Sequence, residues 1–388
     1  MTLAPSPALA PSLPDAIARL LVDFRAGKKA ALARAVSIVE NHRAGFDALL
    51  GTLHPSLGRA RRIGLTGPPG AGKSTMTTAL TRALREQGKT VGIVAVDPTS
   101  PFTGGALLGD RIRMESVALD PGVFIRSMAT RGSLGGLASA TREVCDVLDA
   151  FGCDVILVET VGVGQSELDV ARAADTTLVV LVPESGDSIQ TLKAGVMEIA
   201  DVFVVNKADR PGADRLRNDI ELMLGLRTGI ALRNVPAHHG VDLKTLSAQD
   251  REDARNALNP ARAARAAAAA DHPESWVPPV LQSVAAKGEG VAEVLAALDR
   301  HGRYLADSGE LRARRRARLR ERVVEVVEQR LRTRLWSDDA TNAWLEERLA
   351  ALEAGTSTPF GVADALLARS GPLMAGTIAG TTAGTTGE

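Results

Sequence analysis

The sequence predicts an α/β fold in which helices flank a central sheet. Two observations support this prediction. Apolar runs that are too short and too β-branched for helices recur along the chain, as at Val91 to Val96 and Val202 to Val205. One such run, Ile63 to Thr66, leads through a glycine-rich turn into a helical pattern. The 388 residues are enough for one large α/β domain with additions at its ends.

Composition excludes several classes of protein. Hydrophobic residues make up 45% and charged residues 24%, as in globular domains, which excludes wholesale disorder. The 46 basic residues balance 46 acidic ones and aromatic residues reach only 3%, so we expect neither nucleic acid nor a membrane as partner. With two cysteines, no long apolar run and no targeting pattern at the start, we expect a cytoplasmic protein.

Two amphipathic helices are predicted at the start of the chain. Ile17, Leu20, Leu21 and Phe24 form the apolar face of the first helix, and residues 32–39 repeat the pattern. We interpret residues 1–57 as an N-terminal helical arm that covers one side of the sheet.

The turn after Ile63 to Thr66 predicts a phosphate-binding loop. Its sequence follows G-x-x-x-x-G-K-[ST] between a strand and a helix, the setting that this motif requires. Glycines let backbone N–H groups converge on a polyphosphate. We expect Lys73 to reach the β- and γ-phosphates and the Ser74 hydroxyl to bind Mg²⁺. The nucleotide-binding residues of this loop are Gly67, Pro68, Pro69, Gly70, Ala71, Gly72, Lys73, Ser74 and Thr75.

Acidic residues follow two further predicted strands. Asp97 ends the second strand, where open α/β sheets bind ligands, and is a candidate for Mg²⁺; initiation of a turn before Pro98 is the alternative. Asp110 lies in a glycine-rich segment that either contacts the metal or is a solvated surface loop. Glu159 ends another strand and predicts a metal or water contact, and Gly162 offers an N–H to a γ-phosphate.

The strand Val202 to Val205 leads into Asn206, Lys207 and Asp209, the N-K-x-D pattern of guanine recognition. A carboxylate at Asp209 can accept hydrogen bonds from guanine N1–H and the N2 amine, whereas adenine offers no matching donors. A final strand precedes the small residues whose backbone N–H groups are candidates for guanine O6: Val284, Ala285 and Ala286. GTP or GDP with Mg²⁺ is therefore the predicted ligand.

Together, these motifs make the chain resemble the MeaB/ArgK family of GTPases, to which the human methylmalonic aciduria type A protein belongs. The resemblance is carried by Val96 to Ser100, Gly104 to Arg111, Thr130 to Gly136 and Glu159 to Glu167, and covers roughly Leu32 to Tyr304. It implies a P-loop NTPase with a mostly parallel central sheet at 58–305, and a homodimer. It also implies a GTP-hydrolysing chaperone that gates cofactor loading of an adenosylcobalamin-dependent acyl-CoA mutase, chiefly methylmalonyl-CoA mutase, and protects it from inactivation.

The family's third nucleotide-dependent loop matches residues 183–193. Asp187, Gln190 and Lys193 would form its relay between nucleotide and partner. An N-capped helix start with exposed charges remains the alternative. The residue after Gly162 is Val163 and not a glutamine that could align water, so slow intrinsic turnover is expected; Gln165 is a candidate substitute.

The last third of the chain predicts helices. Glu310 to Trp336 is one long helix with apolar residues on one side and a dense arginine series on the other. We interpret 306–370 as a C-terminal helical dimerisation arm and the low-complexity residues 371–388 as a disordered tail. Beside the GTPase, a transport-associated kinase or phosphotransferase of the ArgK type and a scaffold with vestigial nucleotide binding remain alternatives, and the client mutase is undetermined.

Overall fold

The computed structural model describes residues 14–98, 114–130, 136–160, 166–183, 196–227 and 276–371. Within these ranges, seven strands form one sheet in the order β3-β2-β4-β1-β5-β6-β7, and every strand pair in it is parallel. The predicted α/β fold with a parallel central sheet is confirmed. The strands are β1 (Arg61–Thr66), β2 (Val91–Pro98), β3 (Val123–Thr130), β4 (Val155–Thr160), β5 (Thr176–Leu181), β6 (Val202–Asn206) and β7 (Val280–Ser283).

Helices cover both faces of this sheet, as a parallel sheet requires. Short 3-10 turns occur at His54–Ser56 and Ala285–Lys287. In the described residues, no helix is both long and apolar enough to cross a membrane. The helices are α1 (Asp15–Arg25), α2 (Lys29–Glu40), α3 (Phe46–Leu53), α4 (Lys73–Glu86), α5 (Glu115–Ala118), α6 (Gly136–Phe151), α7 (Ser166–Ala173), α8 (Met197–Ile199), α9 (Ala213–Arg227), α10 (Val291–Asp307), α11 (Glu310–Trp336), α12 (Asp339–Glu353) and α13 (Pro359–Arg369).

The N-terminal helices form one layer with α6. The predicted apolar faces of α1 and α2 are buried and join a core with the sheet side chains Ile156 and Val158. Alternate residues of the same strand, Val155 and Leu157, point to the other face, where α4 and α10 pack. The first four residues of β4, Val155 to Val158, are therefore all apolar because both faces of the strand are buried.

Buried carboxylates organise the amino ends of the strands. Asp149 accepts hydrogen bonds from the N–H groups of Gly58 and Ala60, at 2.8 and 2.9 Å. Asp175 accepts from the N–H of Arg62 at 3.1 Å and from Nη2 of Arg315 at 2.8 Å. These hydrogen bonds to Asp149 and Asp175 matter because a buried charge without a partner is strongly destabilising.

A third carboxylate of this kind, Asp201, precedes β6. It accepts from the N–H of Thr177 at 2.8 Å, and Arg314 donates to it through both Nη atoms at 3.1 to 3.2 Å. Arg314 and Arg315 thus attach the first turns of α11 to the amino ends of β6 and β5. The first compact unit of the chain accordingly extends to Arg315, and the second comprises residues 316–388.

His301 of α10 is fully buried beside this carboxylate. Its Nδ1 lies 2.9 Å from Thr176 Oγ1, and its ring clusters with those of Trp276 and Tyr304, whose centres are 4.7 and 6.1 Å away. Nε2 lies 3.3 Å from Asp201 Oδ1 but makes no hydrogen bond. Burial lowers the pKa of His301 to about 4, although Asp201 opposes the shift.

The second unit consists of helices in the part of it that the structure describes. Asp338 and Thr358 cap α12 and α13 by accepting hydrogen bonds from backbone N–H groups. Val362 and Leu366 of α13 are buried, and the Arg348 guanidinium lies 3.6 Å from the centre of the Trp344 ring. In contrast, α11 has no buried side chain.

We predict that His301 makes the protein sensitive to acid. The unfolded chain takes up a proton below the ordinary histidine pKa of 6.5, whereas the folded state resists protonation down to about 4. Through this group, the free energy of unfolding has its full value above pH 6.5. It falls by on the order of 3 kcal/mol as the pH decreases toward 4. His301→Gln should flatten the dependence of the unfolding free energy on pH, as measured by urea unfolding. The same change at the exposed His54 should leave it intact, and parallel curves for wild type and His301→Gln would contradict the prediction.

Candidate functional site

The predicted phosphate loop connects β1 to α4 at the carboxyl edge of the sheet. In open α/β folds, ligands bind at this edge, in the crevice where the order of the strands reverses. Gly67 and Gly72 have φ angles of +136° and +87°, in the left-handed region. A side chain at Gly67 would overlap the Val180 carbonyl and one at Gly72 the Asn206 amide. The backbone can adopt this path only because these positions are glycine.

Lys73 is the first residue of α4 and is buried. Its ammonium donates to the carbonyl oxygens of Gly67 and Pro68 at 2.8 and 2.9 Å. The cation thus lies against the phosphate loop itself. A phosphate that binds there gains a charged donor that is already in place.

Ser74 and Glu159 meet beneath this loop. The Ser74 hydroxyl donates to Glu159 Oε1 in a short hydrogen bond, and the Thr77 hydroxyl donates to Glu159 Oε2 at 2.8 Å. Glu159 is only 2% exposed, although it ends a strand at the open edge of the sheet. The structure therefore brings together two of the predicted metal-binding residues.

The chemistry of these side chains fits Mg²⁺. Magnesium is bound in proteins by carboxylate and hydroxyl oxygens, often with phosphate oxygens and water completing its octahedron. Ser74 and Glu159 supply a hydroxyl and a carboxylate next to the phosphate loop. Both belong to elements that the core holds in place, since α4 and β4 pack against each other.

The Asn206 side chain joins three segments that are far apart in the sequence. Its Nδ2 donates to the carbonyl oxygen of Ala71 at 2.8 Å. Its Oδ1 accepts from the N–H of Ala285 at 3.1 Å and from the Ser283 hydroxyl at 3.2 Å. The phosphate loop, the end of β6 and the segment after β7 are therefore fixed relative to one another.

The backbone turns sharply after Asn206. Lys207 has a φ of +55°, an uncommon angle for a residue with a side chain, and Ala208 then donates its N–H to Ser283 O at 3.0 Å. Asp209 lies at the surface, where its Oδ2 is 3.2 Å from Nζ of Lys287. The hydrogen bond from Lys287 lowers the pKa of Asp209, so the carboxyl is ionised and can accept hydrogen bonds from a ligand.

The segment after β7 forms a tight turn next to Asn206. Val284 donates its N–H to Glu289 O at 3.0 Å, and a 3-10 turn follows at Ala285–Lys287. Val284 and Ala285 are buried and Ala286 is exposed. The N–H of Ala285 is bound to Asn206 Oδ1. Of the three N–H groups predicted to contact guanine O6, those of Val284 and Ala285 therefore already have an acceptor within the protein.

Several predicted residues cannot be placed. Asp97 ends strand β2, but its side chain is not described. The others lie outside the described residues: Asp110, Gly162, Asp187, Gln190 and Lys193.

Sequence reasoning missed two residues of this site. Thr77 lies one helical turn after Lys73, on the side of α4 that faces Glu159, and helical spacing from the motif could have indicated it. Lys287 contacts Asp209 from a separate loop. The sequence carries no signal for that pairing because the two residues are brought together only by the adjacent strands β6 and β7.

A P-loop nucleotide-binding protein is defined by a glycine loop, a lysine and a serine at the spacing of the motif, and a buried carboxylate at the carboxyl edge of a parallel sheet. The family model described as methylmalonyl Co-A mutase-associated GTPase MeaB matches residues 32–340. The chain belongs to this family and is a P-loop GTPase, as the sequence predicted.

Individual relatives agree with this assignment. A protein of Pyrococcus horikoshii that is named a GTPase is 43% identical over 311 residues, which are 80% of this chain and 86% of the relative. The mitochondrial methylmalonic aciduria type A homolog of Mus musculus is 33% identical over 76% of this chain and 66% of its own length. A crystal structure titled LAO/AO transport system kinase has a TM-score of 0.60 and 26% identity, and the match covers 93% of this chain and 99% of that one.

Proposed function

We propose that this GTPase is a chaperone of an adenosylcobalamin-dependent acyl-CoA mutase, with methylmalonyl-CoA mutase as its client. In this role it gates the loading of the cofactor and protects the mutase from inactivation. The observation that carries the proposal is the match of residues 32–340 to a family described by its association with methylmalonyl Co-A mutase. Similarity to the mouse methylmalonic aciduria type A homolog supports it. Cys145 and Cys153 are buried and form no disulfide, which fits a cytoplasmic protein.

The proposed chemistry is hydrolysis of GTP through a loose transition state. Lys73 and the N–H groups of residues 67–75 stabilise the charge that develops on the phosphate oxygens. Ser74 and Glu159 would hold Mg²⁺, with Asp97 and Asp110 as further ligands. Bound Mg²⁺ neutralises charge on the β- and γ-phosphates. Catalysis would therefore depend on positioning and electrostatics.

Recognition of guanine is assigned to the segments that Asn206 holds together. Asp209 accepts from the Watson–Crick edge of guanine, and Ala286, the exposed residue of the segment 284–286, offers its N–H to O6. Lys287 keeps the Asp209 carboxyl ionised. The Asn206 side chain is hydrogen-bonded to both the phosphate loop and the base-binding segments. Binding of the base is therefore coupled to the ordering of the phosphate loop.

We assign the transmission of the nucleotide state to the mutase to loops whose order depends on the bound nucleotide. The Gly162 N–H would detect the γ-phosphate, and Asp187, Gln190 and Lys193 would relay its presence to the partner. Loops of this kind are ordered by the γ-phosphate and released on hydrolysis. The nucleotide state then determines how the GTPase binds its client.

The alternative is a transport-associated kinase. It is favoured by the similarity to the structure titled LAO/AO transport system kinase, at 26% identity. A kinase transfers the γ-phosphoryl group to an acceptor other than water. Radiolabelled GTP therefore distinguishes the two functions: a GTPase releases the label as inorganic phosphate, and a kinase transfers it to a periplasmic binding protein or to arginine.

We predict that methylmalonyl-CoA mutase raises the rate of GTP hydrolysis roughly tenfold or more, because a partner can complete a site in which Val163 and not glutamine directly follows Gly162. The measurement is steady-state phosphate release with and without purified mutase. Lys73→Ala should abolish turnover in both conditions. An unchanged rate, together with the absence of a complex in the presence of a non-hydrolysable GTP analogue, would reject the mutase as client.

We also predict that Asp209→Asn changes the base preference. Xanthine carries a carbonyl where guanine carries its N2 amine, so an asparagine amide can donate to xanthine but repels guanine. GTP affinity should fall on the order of 100-fold and XTP affinity should rise. Titration of both nucleotides tests this. Asp214→Asn, which changes an acid that binds Gln282, is the matched control. Equal losses in the two variants would contradict the role of Asp209.

We propose that the second unit pairs with a second copy of the chain. Leu319, Val323 and Val327 recur every four residues along α11 and are 54, 62 and 49% exposed. Such a stripe on one helix face is stabilised when it is buried against another apolar surface. In a twofold dimer the same stripe supplies both surfaces.

Charge placed in this stripe should therefore dissociate the dimer. For Val323→Glu with Val327→Glu, light scattering should give the 40.6 kDa mass of one chain, and for the wild type twice that value. Gln329→Glu adds charge to a different side of the same helix and should leave the dimer intact. A wild-type mass of one chain at micromolar concentration would refute the proposal.

A further inference from the structure

Thr77 is a buried polar residue of α4 that the nucleotide motif does not include. It is 0% exposed, and its hydroxyl lies 2.8 Å from Glu159 Oε2 and 3.0 Å from the carbonyl oxygen of Lys73. Both neighbours accept hydrogen bonds, whereas a hydroxyl has one hydrogen to donate. The shorter contact, to the carboxyl oxygen of Glu159, is the stronger one. Thr77 therefore acts chiefly on Glu159.

The two oxygens of Glu159 are bound by different residues of the same helix. Ser74 donates to Oε1 and Thr77 donates to Oε2. One bond would allow the carboxylate to rotate about its terminal torsion, which is broad. The second bond fixes its plane.

This arrangement determines the direction in which the Ser74 hydroxyl points. Its hydrogen is directed at Glu159, so its lone pairs face away from the carboxylate and are available to a cation. Groups that hold a ligand's hydrogen in this way orient the ligand toward the metal. A fixed Glu159 thus prepares Ser74 for magnesium.

We propose that Thr77 is a positioning residue for Mg²⁺: by binding Glu159 Oε2, it fixes the carboxylate that orients the Ser74 hydroxyl. The proposal rests on the GTPase site and is independent of the identity of the client mutase. Thr77 touches neither the nucleotide nor the metal in this scheme. Its contribution is transmitted through Glu159 and Ser74.

The chain contains a matched control for this contact. Thr81 lies one turn further along α4, is also 0% exposed, and donates to the carbonyl oxygen of Thr77 at 2.7 Å. Thr77 and Thr81 are therefore the same residue type, lie on the same helix and are equally buried. Each also donates to the carbonyl oxygen four residues before it. In the described contacts, Thr77 alone of the two also reaches Glu159. Valine at either position removes the hydroxyl and keeps the shape.

The experiment measures how Mg²⁺ slows the release of a fluorescent GDP analogue from the full-length protein. Thr77→Val should raise the Mg²⁺ concentration at half-effect roughly 10- to 100-fold, the usual loss for an outer partner of a metal ligand. Release in excess EDTA should stay within about twofold of the wild type. Thr81→Val should keep the wild-type midpoint, and Thr77→Ser, which retains the hydroxyl, should restore it.

Three results would overturn the proposal: a wild-type midpoint in Thr77→Val, an equal shift in Thr81→Val, or a failure of Thr77→Ser to rescue. If Thr77→Val does not fold, as judged by thermal unfolding in EDTA, the comparison is made between Thr77→Ala and Thr81→Ala with the same expected difference. If the wild type itself does not bind GDP, the GTPase assignment fails, and that outcome is distinct from a failure at Thr77.

Discussion

The hydrogen bonds of the Asn206 side chain are the constraint on which the nucleotide site depends. One amide holds the phosphate loop through Ala71 O and the segment after β7 through Ala285 N–H. These segments follow β1 and β7, which are separated by two strands in the sheet. The amide is buried, so each of its bonds is made in a medium where an unmade bond is costly. The glycine at position 72 is part of the same constraint, because any side chain there would overlap the amide.

The phosphate loop is ordered by contacts within the protein. The Lys73 ammonium binds the loop's own carbonyls, and Glu159 is held by two hydroxyls of α4. Groups that are fixed before the ligand arrives do not lose conformational freedom on binding. The same contacts mean that Lys73 has a structural role in the loop as well as its proposed role toward phosphate. A loss of binding on its replacement therefore combines both effects.

Much of this fold could be predicted from local sequence. The apolar faces of α1 and α2, the buried runs of β1, β2, β4 and β6, and the loop between β1 and α4 follow from periodicity and from one motif with strict spacing. The strand order and the contacts between distant residues could not be predicted. Asp209 meets Lys287 only because β6 pairs with β7, and Arg315 meets Asp175 across 140 positions of sequence. Such pairs are set by tertiary packing, which leaves no trace in local patterns.

The arginines at the start of α11 determine where the GTPase body ends. Ser308 and Gly309 form the loop between α10 and α11, where helix boundaries alone would suggest truncating the chain. A protein shortened there would lose Arg314 and Arg315, the guanidinium partners of Asp201 and Asp175. Those carboxylates lie at the amino ends of β6 and β5 and would remain in a poorly hydrated setting. Independent folding of the catalytic body thus requires the first turn and a half of a helix whose remaining length belongs to the other unit.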